Sequence, residues 1–163
     1  MFGWFKRRKE GLMAKMVAYT HVGRIAFISG ILEALKAQGI PENQLHGVAE
    51  AASAWALNGT LPEGSSLTVA QAQEHAMRVL RAHPAMQELA VQTARVEAWC
   101  IYAQGGVPSV EITPVLLIFG KSHPVSPDPK SYPAMVFQYI STLSVDAQAN
   151  IRAWIKQAKQ GSE

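Results

Sequence analysis

A helix-period stripe of apolar residues runs through the first quarter of the chain. Leu12, Met16, Tyr19, Ala26, Ile31 and Leu35 fall near one side of a helix over residues 9–38, and Val17, Ile28 and Leu32 broaden it. A stripe of that length commits the fold to packing helix on helix. Gly23, Gly30 and Ala34 lie near one line down the same segment. Bare positions there either admit a second helix at close range or mark a kink at one of the glycines. Gly39, following Gln38, ends the segment as a C-terminal cap.

The punctuation of the next hundred residues is equally helical. Pro41 suits the first turn of a second helix, Glu42 suits its positive end, and Asn58-Gly59 closes it. Thr68 with Gln71 predicts a capping box for a third helix over 69–82, with Val69, Ala72, Ala76, Val79 and Leu80 inward. Its outer side pairs Glu74 with Arg78. Pro84 opens a fourth helix to about Gln104, striped by Met86, Leu89, Thr93, Val96, Cys100 and Ala103. A short helix from Pro133 and a final helix from Ser144 complete the set, the last with Ile151, Trp154 and Ile155 on one side.

Residues 107–133 break the pattern, holding six of the nine prolines. Within them, 114–119 reads either as a short helix opened by Pro114 or as one short buried strand. The expected fold is therefore mainly α: a single-domain helical bundle of about five to six helices around a proline-rich irregular segment. At 163 residues the chain is long enough to bury roughly 70% of its unfolded surface.

Charge is unevenly placed. There are 15 Lys and Arg against 12 Asp and Glu; four of those cations and one of those acids lie in the first ten residues. The whole formal excess of +3 therefore sits in residues 1–10, and residues 11–163 are balanced. A body without a basic face is a poor nucleic-acid binder. One cysteine excludes an internal disulfide framework and suits a reducing cytosol. The aromatics precede the cations, and Lys15, His21 and Arg24 interrupt the apolar stretch beyond them, so neither an export signal nor a membrane span is expected.

Candidate chemistry is sparse. Glu42, His46 and Glu50 share a helical face at spacings of four, a set that can hold a divalent ion, but a polar outer face explains them as well. They support one alternative, a metal-dependent enzyme. Cys100 sits on an apolar stripe and reads as buried filler. No cofactor and no small-molecule substrate is indicated.

The remaining signal is the opening decamer. Phe2, Trp4 and Phe5 precede Lys6, Arg7, Arg8 and Lys9. Rings that favour a membrane–water boundary, beside cations that favour anionic headgroups, suit reversible docking. In type, the decamer resembles the aromatic-plus-basic membrane tips of peripheral bacterial proteins. Residues 1–10 are read as a docking segment and 11–163 as the helical domain. The extended loop bearing His123, Pro124, Pro127, Pro129 and Tyr132 is a second candidate contact, since a stiff segment loses little entropy on binding. The expected protein is a cytoplasmic, non-enzymatic accessory, adaptor or immunity-type inhibitor. It would dock on a protein partner or on the anionic inner-membrane surface. A second alternative is an accessory protein that grips nucleic acid non-specifically through its basic tip.

Overall fold

One uninterrupted helix, α1 (Phe2–Ala37), gives every other element something to lean on. The computed structural model describes residues 2–107, 113–126, 128 and 130–161, with the backbone alone over residues 2–10. After α1 come α2 (Glu42–Asn58), α3 (Val69–Ala82), α4 (Pro84–Ala103), α5 (Pro114–Phe119), α6 (Ser131–Ser141) and α7 (Val145–Gly161). A 3-10 turn over Gly120–Ser122 follows α5 directly. The described residues thus form an all-α domain of seven helices with no strand, one or two more helices than the sequence suggested.

The ambiguous stretch 114–119 is helical for a visible reason. Pro114 takes the first position, and Val115 and Phe119, four residues apart, are the two that are buried. A strand would bury alternate residues and would need a partner strand.

The cap signals act where expected. Thr68 Oγ1 accepts from the Gln71 backbone N–H at 3.2 Å, and Gln71 Oε1 accepts from the Thr68 N–H at 2.9 Å. Gly39, at φ +87, takes the left-handed turn that ends α1, where the Ile40 N–H donates to the Leu35 carbonyl. Ser144 caps α7 with its hydroxyl, and Glu33 of α1 accepts from the Ser144 N–H at 2.9 Å.

Helix α4 is central, packing against α1, α2, α3, α5 and α6. Its register on α1 is antiparallel: Gly23 lies against Thr93, and Gly30 against Met86. The same two glycines receive α6 in the same chain direction, Gly23 under Tyr132 and Gly30 under Tyr139. A Cβ at either position would collide with the tyrosine hydroxyl. The bare line through α1 therefore admits close neighbours, and the helix continues through both glycines without interruption. Thr93 Oγ1 and the Tyr132 hydroxyl share a buried hydrogen bond of 2.9 Å. Around this seam, Phe27, Ile31, Leu35, Leu80, Leu89 and Ile151 are fully buried. Each such side chain contributes about 1.5–3 kcal/mol by leaving water.

Three expected core positions are exposed, Leu12, Val69 and Trp154. Val69 opens α3, before the turn that reaches the core, where Met77 is buried instead. Trp154 stands partly clear because α7 rests chiefly on α1, which covers only the side bearing Ile151.

The seam generates two predictions. Gly30→Ala should gain about 0.5–1 kcal/mol of helix propensity but lose about 1–3 kcal/mol to overpacking, a net destabilisation in denaturant titration. Removing the offending hydroxyl with Tyr139→Phe in the same chain should recover most of that loss. Burial pushes the Tyr139 hydroxyl up to about 12, with the Glu33 carboxylate adding to the effect. An unfolded tyrosine ionises near 10, so the unfolded chain binds fewer protons than the native one across pH 10–12. Stability should be complete below about pH 10 and fall by about 2–3 kcal/mol on approaching pH 12. Tyr139→Phe should remove its share of that fall, leaving the share from Tyr132, whose hydroxyl burial also pushes up.

Candidate functional site

The antiparallel register fixes where the N-terminal end of α1 lies. With Gly23 opposite Thr93 and Gly30 opposite Met86, the last residue of α4, Ala103, falls level with Met13. Helix α2 ends higher still, since Arg24 Nη2 donates to Asn58 Oδ1 at 2.8 Å. The turns of α1 before Met13 therefore run past the ends of both neighbours, by about 15 Å of helix. Burial agrees with this geometry: Leu12 is 50% exposed, and Met16 is the first buried one among the described side chains. Phe2, Trp4, Phe5, Lys6, Arg7, Arg8 and Lys9 lie on this projecting stretch, and their side chains are outside what the structure describes. Their backbone belongs to the same helix as the core, which begins about two turns earlier than the sequence suggested.

An ion pair braces α1 about three turns above this point. Arg24 Nε donates to Glu97 Oε1, and Arg24 Nη2 donates to Glu97 Oε2 at 2.5 Å. The Glu97 hydrogen bond raises the Arg24 pKa above its ordinary value, against the opposing effect of burial. With Asn58 added, this half-buried fork ties α1, α2 and α4 together about three turns above the start of the projection.

The second candidate surface, the proline loop, is held down by α4. Arg95 Nη1 donates to the His123 carbonyl, and Arg95 Nη2 donates to the Gly120 carbonyl at 2.7 Å. Gln92 Nε2 donates to the Pro124 carbonyl at 3.0 Å, and Gln87 Oε1 lies 3.1 Å from His123 Nε2. His123 is thus half-buried on α4, while Pro124 is exposed. Pro127 and Pro129 lie outside the described residues. Tyr132 points inward, only 5% exposed, as the ring that packs on Gly23. Beneath the loop, between α4 and α6, lies a cleft of about 600 Å³ whose lining includes Met16, Gln92, Trp99, Val125 and Met135.

The other candidates are dispersed. Glu42, His46 and Glu50 are all exposed on α2. Among the described residues no three His, Cys, Asp or Glu side chains are grouped to hold a metal ion. Cys100 is buried, and burial, aided by the Glu97 carboxylate, pushes its thiol pKa up, so little nucleophilic thiolate forms near neutral pH. Among the described residues no helix is long and apolar enough to cross a membrane.

Arg95, Gln92 and Gln87 carry no mark of their role in the sequence. Each is a polar residue on α4 whose partner is a backbone carbonyl far along the chain or the ring of His123, and neither kind of partner leaves a sequence signature. Trp99 and Tyr102 are visible in the sequence only as residues off the apolar stripe of α4. Comparison with protein-family models, with curated proteins and with solved structures gives no match.

The loop anchor is directly testable. Arg95→Met keeps the aliphatic stem but takes its donor from the His123 carbonyl and leaves the Gly120 carbonyl only the long 3.4 Å bond from the His123 N–H. Stability should fall by about 1–2 kcal/mol, and amide exchange should accelerate selectively in residues 120–126. Unchanged exchange there would show that the loop is held by something else.

Proposed function

We propose that the chain is a non-enzymatic binding protein, of accessory, adaptor or inhibitor type, that docks through the projecting N-terminal end of α1. The observation that carries this reading is a coincidence of charge and geometry. Residues 1–10 carry the entire formal excess of +3, and residues 2–10, which hold all of those charges, belong to the stretch of α1 that runs past α2 and α4. A body of balanced charge adds no competing basic surface.

Helix energetics support the same reading. No acidic residue stands in the first turn of α1, and Lys6, Arg7, Arg8 and Lys9 crowd the positive end of the macrodipole. The sign is unfavourable, though these cations follow the first turn, Phe2–Phe5, and each costs less than the roughly 0.3–1 kcal/mol of a charge within it. A local rule broken without benefit to the fold points to a benefit elsewhere. An anionic surface supplies it: each cation gains roughly 1 kcal/mol near an acidic leaflet. Phe2, Trp4 and Phe5 add apolar area suited to the interface, so the association is reversible, without insertion across the bilayer.

Co-sedimentation with vesicles containing acidic lipid tests the reading. Wild type should pellet with them at low salt, and Trp4→Ala with Phe5→Ala should stay in the supernatant. Replacing Lys6, Arg7, Arg8 and Lys9 by Gln should abolish the salt-sensitive part of binding. If wild type ignores the vesicles, while a Δ1–10 chain loses a protein that the full chain captures from native cells, the leader docks on protein and the lipid reading fails.

A further inference from the structure

The end of the bundle beside the projecting leader is itself apolar and short of acid. Trp99, Tyr102 and Val107 are 43%, 73% and 91% exposed around the end of α4. Leu12 stands one turn below Met16, and Met16 lines the same cleft as Trp99, so α1 and α4 share this patch. Between Glu97 and Val107 there is no charged residue, and between Gly11 and Gly23 the single formal charge is Lys15. Two acids line the cleft, Glu88 on α4 and Asp128, whose carboxylate accepts from the Lys130 N–H beside an exposed Lys130 cation.

Single exposed apolar residues need no explanation, but a clustered aromatic patch on a monomer does. Its setting identifies an occupant. An apolar, aromatic, acid-poor surface next to a segment of +3 is complementary to an anionic lipid interface, where Trp and Tyr rings settle at headgroup depth. A leader projecting about 15 Å cannot stand upright on the membrane and leave this patch in contact; the helix must lie along the surface, as interfacial helices do. Laid flat, it brings the adjoining end of α4 down onto the same plane.

Building on the leader-docking reading, we propose that Leu12, Trp99, Tyr102 and Val107 form a second part of the same anionic-membrane footprint, so that the bundle docks on its side. Tyr102→Glu with Val107→Glu tests this in the full chain, since both positions are exposed enough to leave the fold and its melting temperature unchanged. Binding to phosphatidylcholine vesicles containing phosphatidylglycerol should weaken roughly tenfold or more, as two acids meet an acidic leaflet. In a Trp4→Phe/Trp154→Phe chain, which keeps buried Trp55 and exposed Trp99, brominated lipid should quench the Trp99 emission. If the double-Glu chain binds like wild type and Trp99 stays unquenched, while the leader variants detach, this footprint is overturned and leader docking stands. If the full chain does not bind the vesicles at all, this footprint and the lipid reading of the leader are both overturned. If instead the chain sediments as a dimer that the double-Glu change dissociates, and vesicles do not compete, the patch belongs to a second copy and the lipid assignment is wrong.

Discussion

Tyr132 and Tyr139 reach α1 only because Gly23 and Gly30 carry no side chain. That pair of contacts sets the spacing of the bundle. The seven-residue interval on α1 is matched by a seven-residue interval on α6, and by Thr93 and Met86 on α4. Three helices are therefore registered by the same two bare positions. Glycine within a helix costs about 0.5–1 kcal/mol each, and the close approach it permits must exceed that cost for the seam to persist. The buried Thr93–Tyr132 hydrogen bond sharpens the arrangement, because sliding either helix would leave two buried hydroxyls unpaired.

From that seam the polar anchors arise in order. Once α4 is placed against α1, Glu97 comes opposite Arg24, and Asn58 at the end of α2 completes the fork. On another side of α4, Arg95, Gln92 and Gln87 reach the chain that leads from α5 to α6. A proline-rich segment has few backbone N–H groups to offer, and its carbonyls must find donors elsewhere. Helix α4 supplies those donors from side chains, which is why an irregular loop can lie flat on a helical body.

The helical elements were legible because their signals are local. A stripe at helical period, a Thr-x-x-Gln box and glycines after the last turn each act within a few residues. Gly23 and Gly30 were legible only halfway: their line on α1 implied a close neighbour or a kink, and nothing in the sequence named Tyr132 and Tyr139 as the neighbours. Tyr132 itself looked like part of an external loop, because an aromatic beside prolines carries no mark of the glycine waiting for it. Short apolar runs such as 114–119 fit either period. What the candidate site owes to the fold, the level at which α4 and α2 end beside α1, is a matter of register between distant segments. The exposed Trp99 and Tyr102 were on view as apolar residues off their helix's stripe, but their meaning depends on Leu12 and the leader lying beside them.

The continuity of α1 gives the leader a mechanical consequence. Between Met13 and the seam at Gly23 no proline intervenes, and Arg24 is fixed by Glu97 and Asn58. A projecting segment joined through an unbroken helix keeps its direction relative to the core, so little orientational freedom remains to be lost on docking. Charge acts in the same sense before contact. With residues 11–163 balanced and +3 at one end, the molecule is a dipole, and within a Debye length of about 8–10 Å from an acidic surface its charged end is drawn in first. A flexible leader would tether the bundle in every orientation; a stiff one presents the same side each time, and in the proposed docking the apolar end of α4 would meet the surface only because the helix beside it had already set the approach.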